Sequence, residues 1–258
     1  MTLLQEFKIF IKSIISWIYA LVAFALFFSF FGLNRVAIYG RDLILPTLSK
    51  DSLSIQAFKM MERDLVPPGV QLIVTDPWSG FVVQLEITFI LAFIASFPFL
   101  LYKIIRYISP ALFEHEKKAV FRSVVAFTFL FLMGCVFAYY ILIPLTFKFM
   151  YPFASSLGVA TLFSLDSFMA WIIAILITTG IIFLLPIFMT VLSYLGLVSP
   201  GFWRRKWKFA LFFLLIFSAV ITPDGTGITM IMLFVPLSLL YGTGSLMSGP
   251  PGRRAGQG

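Results

Sequence analysis

The sequence predicts an all-α integral membrane protein with six transmembrane helices and with both termini in the cytoplasm. Of its 258 residues, 60% are hydrophobic and only 12% are charged, about half the charged share of a soluble domain. The mean hydropathy is +1.02. Long runs without charged residues recur along the chain, and the basic residues collect in the segments on one side of them. This composition excludes a soluble globular enzyme, a disordered chain and a fibrous protein.

Six apolar runs are candidates for membrane spans, because a hydrocarbon core about 30 Å thick needs roughly 20 apolar residues. The predicted spans cover 14–33, 78–102, 121–146, 166–198, 208–222 and 228–246. The first run is too long and too aromatic for a cleaved signal peptide, and no small-residue cleavage site follows it, so we expect a retained helix. We expect residues 1–248 to form a single transmembrane domain. The tail, 249–258, is rich in Gly, Pro and Arg and is predicted to be disordered; the alternative is an artificial extension.

The distribution of charge predicts the orientation of these spans. The basic residues predicted to lie on the side of the termini are Lys8, Lys12, Lys103, Arg106, Lys117, Lys118, Arg122, Arg204, Arg205, Lys206, Lys208, Arg253 and Arg254. Fewer basic residues and most of the acidic ones fall on the other side. Because cytoplasmic loops carry the excess of Lys and Arg, both termini are predicted to be inside. In a soluble protein the net charge of +8 would suggest nucleic-acid binding. In a membrane protein the basic residues indicate which loops face the cytoplasm, so no nucleic-acid partner is predicted.

The fifth span is short. Fifteen residues at 1.5 Å each extend about 22 Å, well under the hydrocarbon thickness of about 30 Å. The sixth span follows after a turn at Thr222, Pro223 and Asp224, and Asp224 is expected to cap its first turn. We therefore expect a short hairpin of two helices beside a locally thinned bilayer.

The outer loops are expected to carry structure of their own. The segment 34–76 is too long for a simple turn, and the apolar positions within 54–64 fit a short amphipathic helix on the outer membrane face. Residues 70–74 are expected to be extended, and 151–165 form a second outer cover. Pro144 and Pro186 are expected to bend their helices, because proline removes a backbone hydrogen bond and clashes with the preceding turn.

The sequence contains no arrangement that predicts catalysis. There is no His pair at helical spacing, no glycine-rich phosphate loop and no Gly-x-Ser-x-Gly elbow. One histidine and one cysteine do not make a zinc or haem site by themselves, and Cys135 lies in an apolar run typical of a buried small hydrophobe. We expect no enzyme activity, no metal and no cofactor.

Glu86 is the acidic residue that falls clearly within a predicted span. A charge in the membrane is expensive and is a functional candidate by default. It either snorkels or pairs with a neighbour, or it makes a polar contact with a partner helix or a wet cavity. A small-molecule or ion-coupled secondary transporter is the alternative function, but such proteins show several ionisable groups and repeated broken helices, and no internal repeat is visible here.

Two acidic residues stand out on the basic, cytoplasmic side. Glu116 follows Pro110, which can open the third span, and Glu6 lies before the first span. Acids near a helix start stabilise its dipole by roughly 0.3–1 kcal/mol each. The functional alternative is that Glu6 and Glu116 together bind a dibasic ligand through charge-assisted, bidentate hydrogen bonds. A structural scaffold that only thins the bilayer would need neither residue.

The chain resembles the TatC family, the large polytopic subunits of the twin-arginine protein translocase. The landmarks follow one another in the family's order from Leu4 to about Tyr241. They are LQEFK at 4–8, YKIIRYISPALFEHEKK at 102–118, AYY at 138–140 with Pro144, GIIFLLP at 180–186, the loop 196–206, TPD at 222–224, Pro236 and Tyr241. The first cytoplasmic loop, 102–118, is the most specific of these.

The resemblance implies a receptor for the twin-arginine signal peptides of folded export cargo. It also implies assembly with TatA/TatB-like single-span proteins, a homo-oligomer within the complex, and transport driven by the proton-motive force. The implied fold is a concave, glove-like bundle with outer caps and short fifth and sixth helices. Glu6 and Glu116 match the family's signal-binding glutamates, Tyr107 and Pro110 match the residues that shape the loop, and Lys8 stands in place of the usual arginine.

Several positions depart from the family pattern inside the membrane. Leu184 replaces the polar residue before Pro186, and Thr229 or Met230 stands near the family's sixth-helix glutamine. Glu86 stands where many members carry a basic or neutral residue. These positions are candidates for contacts with partner helices, and a hydroxyl from Thr229 or Thr178 is a possible substitute, worth roughly 0.6 kcal/mol on average in lipid.

Overall fold

The computed structural model describes residues 3–38, 41–48, 51–108, 117–156, 162–194, 197–222 and 227–248. Helices dominate these ranges, and two small sheets accompany them. In order, the elements are α1 Leu3–Phe30, β1 Phe31–Ile38, β2 Arg41–Leu48, α2 Leu53–Leu65, β3 Gln71–Ile73, α3 Ser79–Ile108, α4 Lys117–Phe137, a π-helical turn Ala138–Leu142, α5 Ile143–Ser156, β4 Leu162–Ser164, α6 Leu165–Ile182, α7 Leu185–Tyr194, α8 Pro200–Arg205, α9 Trp207–Ile221 and α10 Ile228–Met247.

Five helical stretches in the described ranges are long and apolar enough to cross a membrane: Ile11–Phe30, Ser79–Ile105, Val124–Pro152, Leu165–Ser193 and Ile228–Met247. The chain is therefore a multi-pass membrane protein. The helix α9 is apolar but has only 15 residues, so its length agrees with the short fifth span predicted above. The count of six spans and the cytoplasmic placement of both ends stay predictions.

The chain divides into two compact units. The first comprises Met1–Phe129 with Thr161–Ala174, and the second comprises Leu130–Ala160 with Ile175–Gly258. Both units are built mainly from long apolar helices.

In the first unit, α1 packs against α3 in an antiparallel arrangement. The Trp17 indole donates a hydrogen bond to the Ser96 hydroxyl at 3.2 Å, and its ring meets Phe93 edge-on with centroids 6.2 Å apart. Farther along, the hydroxyls of Ser29 and Thr88 lie 3.4 Å apart. As the number in α1 rises, the partner's number in α3 falls, which defines the antiparallel direction.

Strands and a short helix, which the sequence predicts to form the outer cover, complete the first unit. β1 and β2 form an antiparallel hairpin, whose strands are linked by a hydrogen bond of 2.7 Å from Asn34 Nδ2 to Thr47 Oγ1. α2 confirms the helix predicted over 54–64, and it buries Met61 and Leu65. β3 and β4 pair in parallel, which places the extended segment predicted at 70–74 in a two-stranded sheet.

The hairpin is a feature that sequence analysis missed. The first predicted span ran to residue 33, but the helix α1 ends at Phe30 and the chain continues as a strand. The two residues that connect the strands are Tyr39 and Gly40, which lack the Asn-Gly or Asp-Gly signature of a short hairpin. Pro46 within β2 also weakens the strand signal, because proline cannot donate to a ladder.

Close helix packing in the second unit depends on glycine. A Cβ on Gly180 of α6 would lie 2.7 Å from the Phe131 ring, and one on Gly134 of α4 would lie 2.8 Å from the Gly180 Cα. In the same way, a Cβ on Gly244 of α10 would lie 2.8 Å from the Cα of Pro186. Small residues allow such approaches between membrane helices, so these contacts need the absence of a side chain.

The prolines and the turn before α10 behave partly as expected. The helix breaks at Phe183 and Leu184, between α6 and α7, just before Pro186, which agrees with the predicted bend there. Pro144 follows a π-helical turn rather than a break.

The N-cap residue of α10 is Gly227, with φ of 70°, so the N-cap position is not Asp224 as expected. A left-handed conformation at this position favours glycine, which has no Cβ to clash. Pro223 and Asp224 lie outside the described residues.

Candidate functional site

The predicted signal-binding residues that the structure describes come from the ends of two helices. Glu6 and Lys8 lie in the first turns of α1, and Tyr107 lies in the last turn of α3. The structure describes their backbone and not their side chains. Pro110 and Glu116 lie outside the described residues.

The register of α1 against α3 brings Glu6 and Tyr107 to one end of the helix pair. Trp17 and Ser96 are in contact. Glu6 lies eleven positions before Trp17 on α1, and Tyr107 lies eleven positions after Ser96 on α3. At 1.5 Å per residue, both backbones therefore lie about 16 Å beyond the contact. Because the helices are antiparallel, they lie on the same side of it.

The start of α4 is tethered to this same end. Lys117, the first residue of α4, follows Ile108, the last residue of α3, by nine positions. Such a segment spans at most about 32 Å when fully extended. Lys117, the residue that follows Glu116 in the sequence, is therefore no more than about 32 Å from the end of α3 that carries Tyr107.

A second candidate site surrounds Glu86, within the membrane-spanning part of the first unit. Glu86 lines a cavity of about 400 Å³, and its Oε2 is buried without a hydrogen-bond partner among the described residues. The other lining residues are Leu85, Phe89, Ala170, Ile173 and Ala174. The cavity is thus a largely apolar groove between α3 and α6 with one carboxyl group in its wall.

Asp166 forms a polar contact at the start of α6 that sequence analysis missed. Its Oδ2 accepts a hydrogen bond of 2.6 Å from the Ser79 hydroxyl, and the Ser79 oxygen accepts one of 3.3 Å from the Asp76 amide. The position of Asp166 in the first turn of α6 suits a negative charge. An acid directly before a long apolar run is the signal that could have indicated it.

The remaining candidates for partner contacts belong to the second unit. Leu184 is half-buried in the break between α6 and α7, and Pro186 is buried against α10. Thr229 is fully buried in the first turn of α10. Thr179, which sequence analysis did not select, is also fully buried, whereas its neighbour Thr178 is half-buried. The hydroxyl groups of Thr179 and Thr229 are therefore buried and do not lie on the surface of the chain.

Polar contacts in the second unit instead link its helices to each other. The Tyr241 hydroxyl of α10 donates a hydrogen bond of 2.6 Å to the Trp203 carbonyl of α8, and the Trp203 indole donates one of 2.8 Å to the Ser193 hydroxyl of α7. Within the described ranges, no group of three His, Cys, Asp or Glu residues is arranged to hold a metal ion.

Comparison with known proteins decides the family. Residues 6–236 match the family described as "Sec-independent protein translocase protein (TatC)". The chain belongs to the TatC family. A TatC protein of Cenarchaeum symbiosum is 36% identical over 194 residues, which cover 75% of this chain and 73% of the relative. TatC of Listeria innocua is 34% identical, and the match covers 75% of this chain and 78% of the relative. TatC of Escherichia coli K12 is 30% identical, and the match covers 71% of this chain and 70% of the relative.

A solved structure supports the same fold. The crystal structure described as that of the twin-arginine translocase receptor TatC superposes with a TM-score of 0.73, covering 94% of this chain and 97% of that chain at 24% identity. The predicted helical membrane fold is confirmed by this likeness. Because TatC proteins are named as components of a protein translocase, a small-molecule transporter is not favoured.

Proposed function

We propose that this TatC chain is the receptor and assembly core of a twin-arginine export system in the cytoplasmic, or inner, membrane. It binds the signal peptides of folded cargo at its cytoplasmic face, with both termini on that side. It assembles there with TatA/TatB-like single-span proteins and with further copies of itself. Transport is driven by the proton-motive force, and the chain itself needs no cofactor and carries out no catalysis.

The observation that carries this proposal is the register of α1 against α3. The contact between Trp17 and Ser96 supports a position for Glu6 at the same end as Tyr107, although the two residues are far apart in the sequence. The connection between α3 and α4 keeps Glu116 within reach of that end. We therefore infer that Glu116 joins Glu6 and Tyr107 at this end of the first unit.

The chemistry of the two acids suits a pair of arginines. Each carboxylate can accept two parallel hydrogen bonds from a planar guanidinium, which gives geometric selectivity as well as charge attraction. Lysine offers a compact ammonium group without that fork, so a Lys-Lys peptide keeps the charge but loses the bidentate geometry. Tyr107 and Pro110 would shape the loop that carries Glu116, and Lys8 would lie beside Glu6 on α1.

The bilayer contributes a further element of the proposal. At 15 residues, α9 extends only about 22 Å, and a bilayer around it would thin locally to match. Thinned lipid beside the second unit would lower the barrier for a folded cargo domain to cross.

Binding of a fluorescent twin-arginine signal peptide to the purified chain in detergent tests the proposal. We expect weaker binding by at least about 30-fold for Glu116→Ala, since removing one partner of a desolvated charged pair costs roughly 2 kcal/mol or more. Glu6→Ala should weaken binding in the same direction. The matched control is Glu62→Ala, which removes an exposed acid from α2 of the outer cover and should leave binding unchanged. Equal binding of all four proteins would contradict the proposed site.

A further inference from the structure

We propose that a basic segment at the junction of α8 and α9 binds the headgroups of anionic phospholipids at the border of the membrane. The basic segment is RRKWK, residues 204–208, and it carries four cations in five positions: Arg204, Arg205, Lys206 and Lys208. This site is independent of the receptor function proposed above, because it contains none of the residues proposed to bind the signal peptide.

The backbone places the basic segment at the start of an apolar helix. α8 ends at Arg205, and α9 begins at Trp207 after one intervening residue, Lys206. The Lys206 amide donates a hydrogen bond to the Phe202 carbonyl, and the Lys206 carbonyl accepts one from the Ala210 amide. The cations therefore follow one another directly where the polar segment meets the apolar helix.

Two hydrogen bonds hold α8 against its neighbours in the second unit. Trp203 directly precedes the two arginines, and its indole donates a bond of 2.8 Å to the Ser193 hydroxyl of α7. The Trp203 carbonyl accepts a bond of 2.6 Å from the Tyr241 hydroxyl of α10. Trp203 is half-buried, whereas all four cations are exposed. The segment is thus presented on the surface by a fixed backbone, which lowers the cost of ordering it on binding.

The second unit has almost no acidic residues that could neutralise these cations. In the stretches Leu130–Ala160 and Ile175–Gly258, the one acidic residue is Asp224. Asp224 follows Ile221, the last residue of α9, so a helix about 22 Å long separates it from the basic segment. Within the described ranges, none of the four cations takes part in an ion pair. The segment therefore complements an anionic partner.

Aromatic side chains favour a position at the level of the lipid headgroups. Trp207 is 49% exposed, and tryptophan is enriched where hydrocarbon meets the headgroups. The Lys208 Nζ lies 5.8 Å from the centroid of the Trp207 ring, and the Lys206 Nζ lies 5.2 Å from that of Phe209. Both distances allow a cation–π interaction. An ammonium group on a ring face keeps N–H donors for a phosphate oxygen.

The helix that follows offers a surface for the acyl chains of the same lipids. Phe209, Phe212, Phe213 and Ile216 of α9 are 45–68% exposed, and their spacing of three, four and seven positions puts them on one face. A phospholipid matches both parts, because its phosphate meets the cations and its chains meet this apolar face. Each basic side chain near an anionic membrane surface strengthens binding about fivefold.

Site-specific fluorescence quenching in vesicles tests this site. A fluorophore would be attached at Gly201→Cys in the full chain, with Cys135→Ala removing the native thiol. Nothing lies within 4 Å of the position that a Cβ would occupy at Gly201. Phosphatidylcholine vesicles would contain a small fraction of nitroxide-labelled phosphatidylglycerol or of phosphatidylcholine with the same label. We expect half-maximal quenching at a mole fraction at least about tenfold lower for phosphatidylglycerol.

The control position is on a helix without charged residues. Val235 of α10 is 49% exposed, and the sequence of α10 contains no Asp, Glu, Lys or Arg. A fluorophore at Val235→Cys should be quenched equally by the two labelled lipids. The comparison of the two lipids at each position removes the effect of label depth.

Neutralising the arginines makes the test specific. Arg204→Gln with Arg205→Gln should lower the preference for phosphatidylglycerol at least about fivefold, whereas Arg204→Lys with Arg205→Lys should keep most of it, because the charge remains. Unchanged quenching by labelled phosphatidylcholine shows that a variant is folded and still lies at the membrane.

A second pair of changes controls for the loss of net charge. Lys59→Gln with Arg63→Gln removes two exposed cations of α2 that pair with Asp51 and Asp64, and it should leave the preference unchanged. Raising the salt from 0.1 M to 1 M shortens the Debye length from about 10 Å to about 3 Å and should lower the preference.

Three results would overturn the proposal. One is equal quenching by the two lipids at position 201 of the otherwise unmodified chain. Another is a preference that persists in the folded Arg204→Gln and Arg205→Gln variant. The third is displacement of the labelled lipid by an equal concentration of soluble glycerol phosphate, because a free anion would then be sufficient.

Discussion

The indole of Trp17 donates a hydrogen bond to the hydroxyl of Ser96 at 3.2 Å, and this contact sets the register between α1 and α3. Ser96 is fully buried, and the Trp17 ring also packs edge-on against Phe93. A change in this register would move Glu6 along the helix axis relative to Tyr107. The proposed signal-binding end therefore depends on a contact between the apolar spans Ile11–Phe30 and Ser79–Ile105.

Replacing Trp17 with phenylalanine should weaken this register. The change keeps an aromatic ring but removes the indole donor, and a net loss of about 1 kcal/mol of stability is expected. Thermal unfolding in detergent would measure it as a lower Tm, together with weaker signal-peptide binding. The matched control is Tyr19→Phe on the same helix, because Tyr19 is 73% exposed and should tolerate loss of its hydroxyl. An equal effect of both changes would contradict the role of the indole.

Adding a methyl group at Gly180 should destabilise the second unit. The new Cβ would lie 2.7 Å from the Phe131 ring and 2.9 Å from the Cys135 sulfur, and overpacking of this kind typically costs about 1–3 kcal/mol. Gly242→Ala in α10 is the control, since nothing lies within 4 Å of the position that its Cβ would occupy. Because glycine is a poor helix former, Gly242→Ala should be neutral or slightly stabilising. Thermal unfolding of the two variants would check both expectations, and a stable Gly180→Ala would argue against the close contact of α4 with α6.

Removing the Tyr241 hydroxyl should loosen α10 from α8. Tyr241 is buried, and its hydroxyl donates a hydrogen bond of 2.6 Å to the Trp203 carbonyl. Tyr241→Phe leaves that carbonyl without this donor, at a cost of about 1 kcal/mol. Hydrogen exchange of the backbone around Trp203 should become faster. The comparison is Tyr140→Phe, at a residue that is 68% exposed; faster exchange in that variant too would indicate a general loss of stability.

The short helix α9 should bring both of its ends close to water. Phe209 is 62% exposed and Val220 is 78% exposed, and the eleven-residue interval between them spans about 16 Å. Spin labels on cysteines placed at these two sites, in a Cys135→Ala background, should be accessible to a water-soluble relaxation agent. A label at Val235, in the middle of α10 and 49% exposed, should be accessible mainly to oxygen. Labels at 209 and 220 that both lie deep in lipid would contradict local thinning.

Much of the fold follows from the sequence, because apolar runs of membrane length leave few alternatives to helices. The run that became α3 and the amphipathic segment that became α2 are examples. The hairpin of β1 and β2 was not predictable in this way, since Tyr39 and Gly40 lack a strong turn signature. The break at Phe183 and Leu184 was foreseeable from Pro186, whose ring cannot continue the preceding helix undisturbed.

The candidate sites depend on contacts that local patterns do not encode. Glu86 was visible as an isolated acid in an apolar run, but the groove beside it arises from the packing of α3 near α6. The hydrogen bond between Ser79 and Asp166 likewise joins residues distant in the sequence. The convergence of Glu6 and Tyr107 required the register set by Trp17 and Ser96, which no periodicity in either helix specifies.

A double-mutant cycle between the chain and the signal peptide tests the central claim most directly. Dissociation constants would be measured for the unmodified chain and for Glu116→Gln, each with the Arg-Arg peptide and with an uncharged form in which both arginines are replaced by glutamine. The account predicts a coupling of at least about 1.5 kcal/mol, as for close charge pairs across an interface, whereas the exposed acid Glu62 changed to Gln should give none. A coupling for Glu116 within about 0.5 kcal/mol of zero, the range for independent sites, would contradict the claim that this glutamate binds the arginine pair.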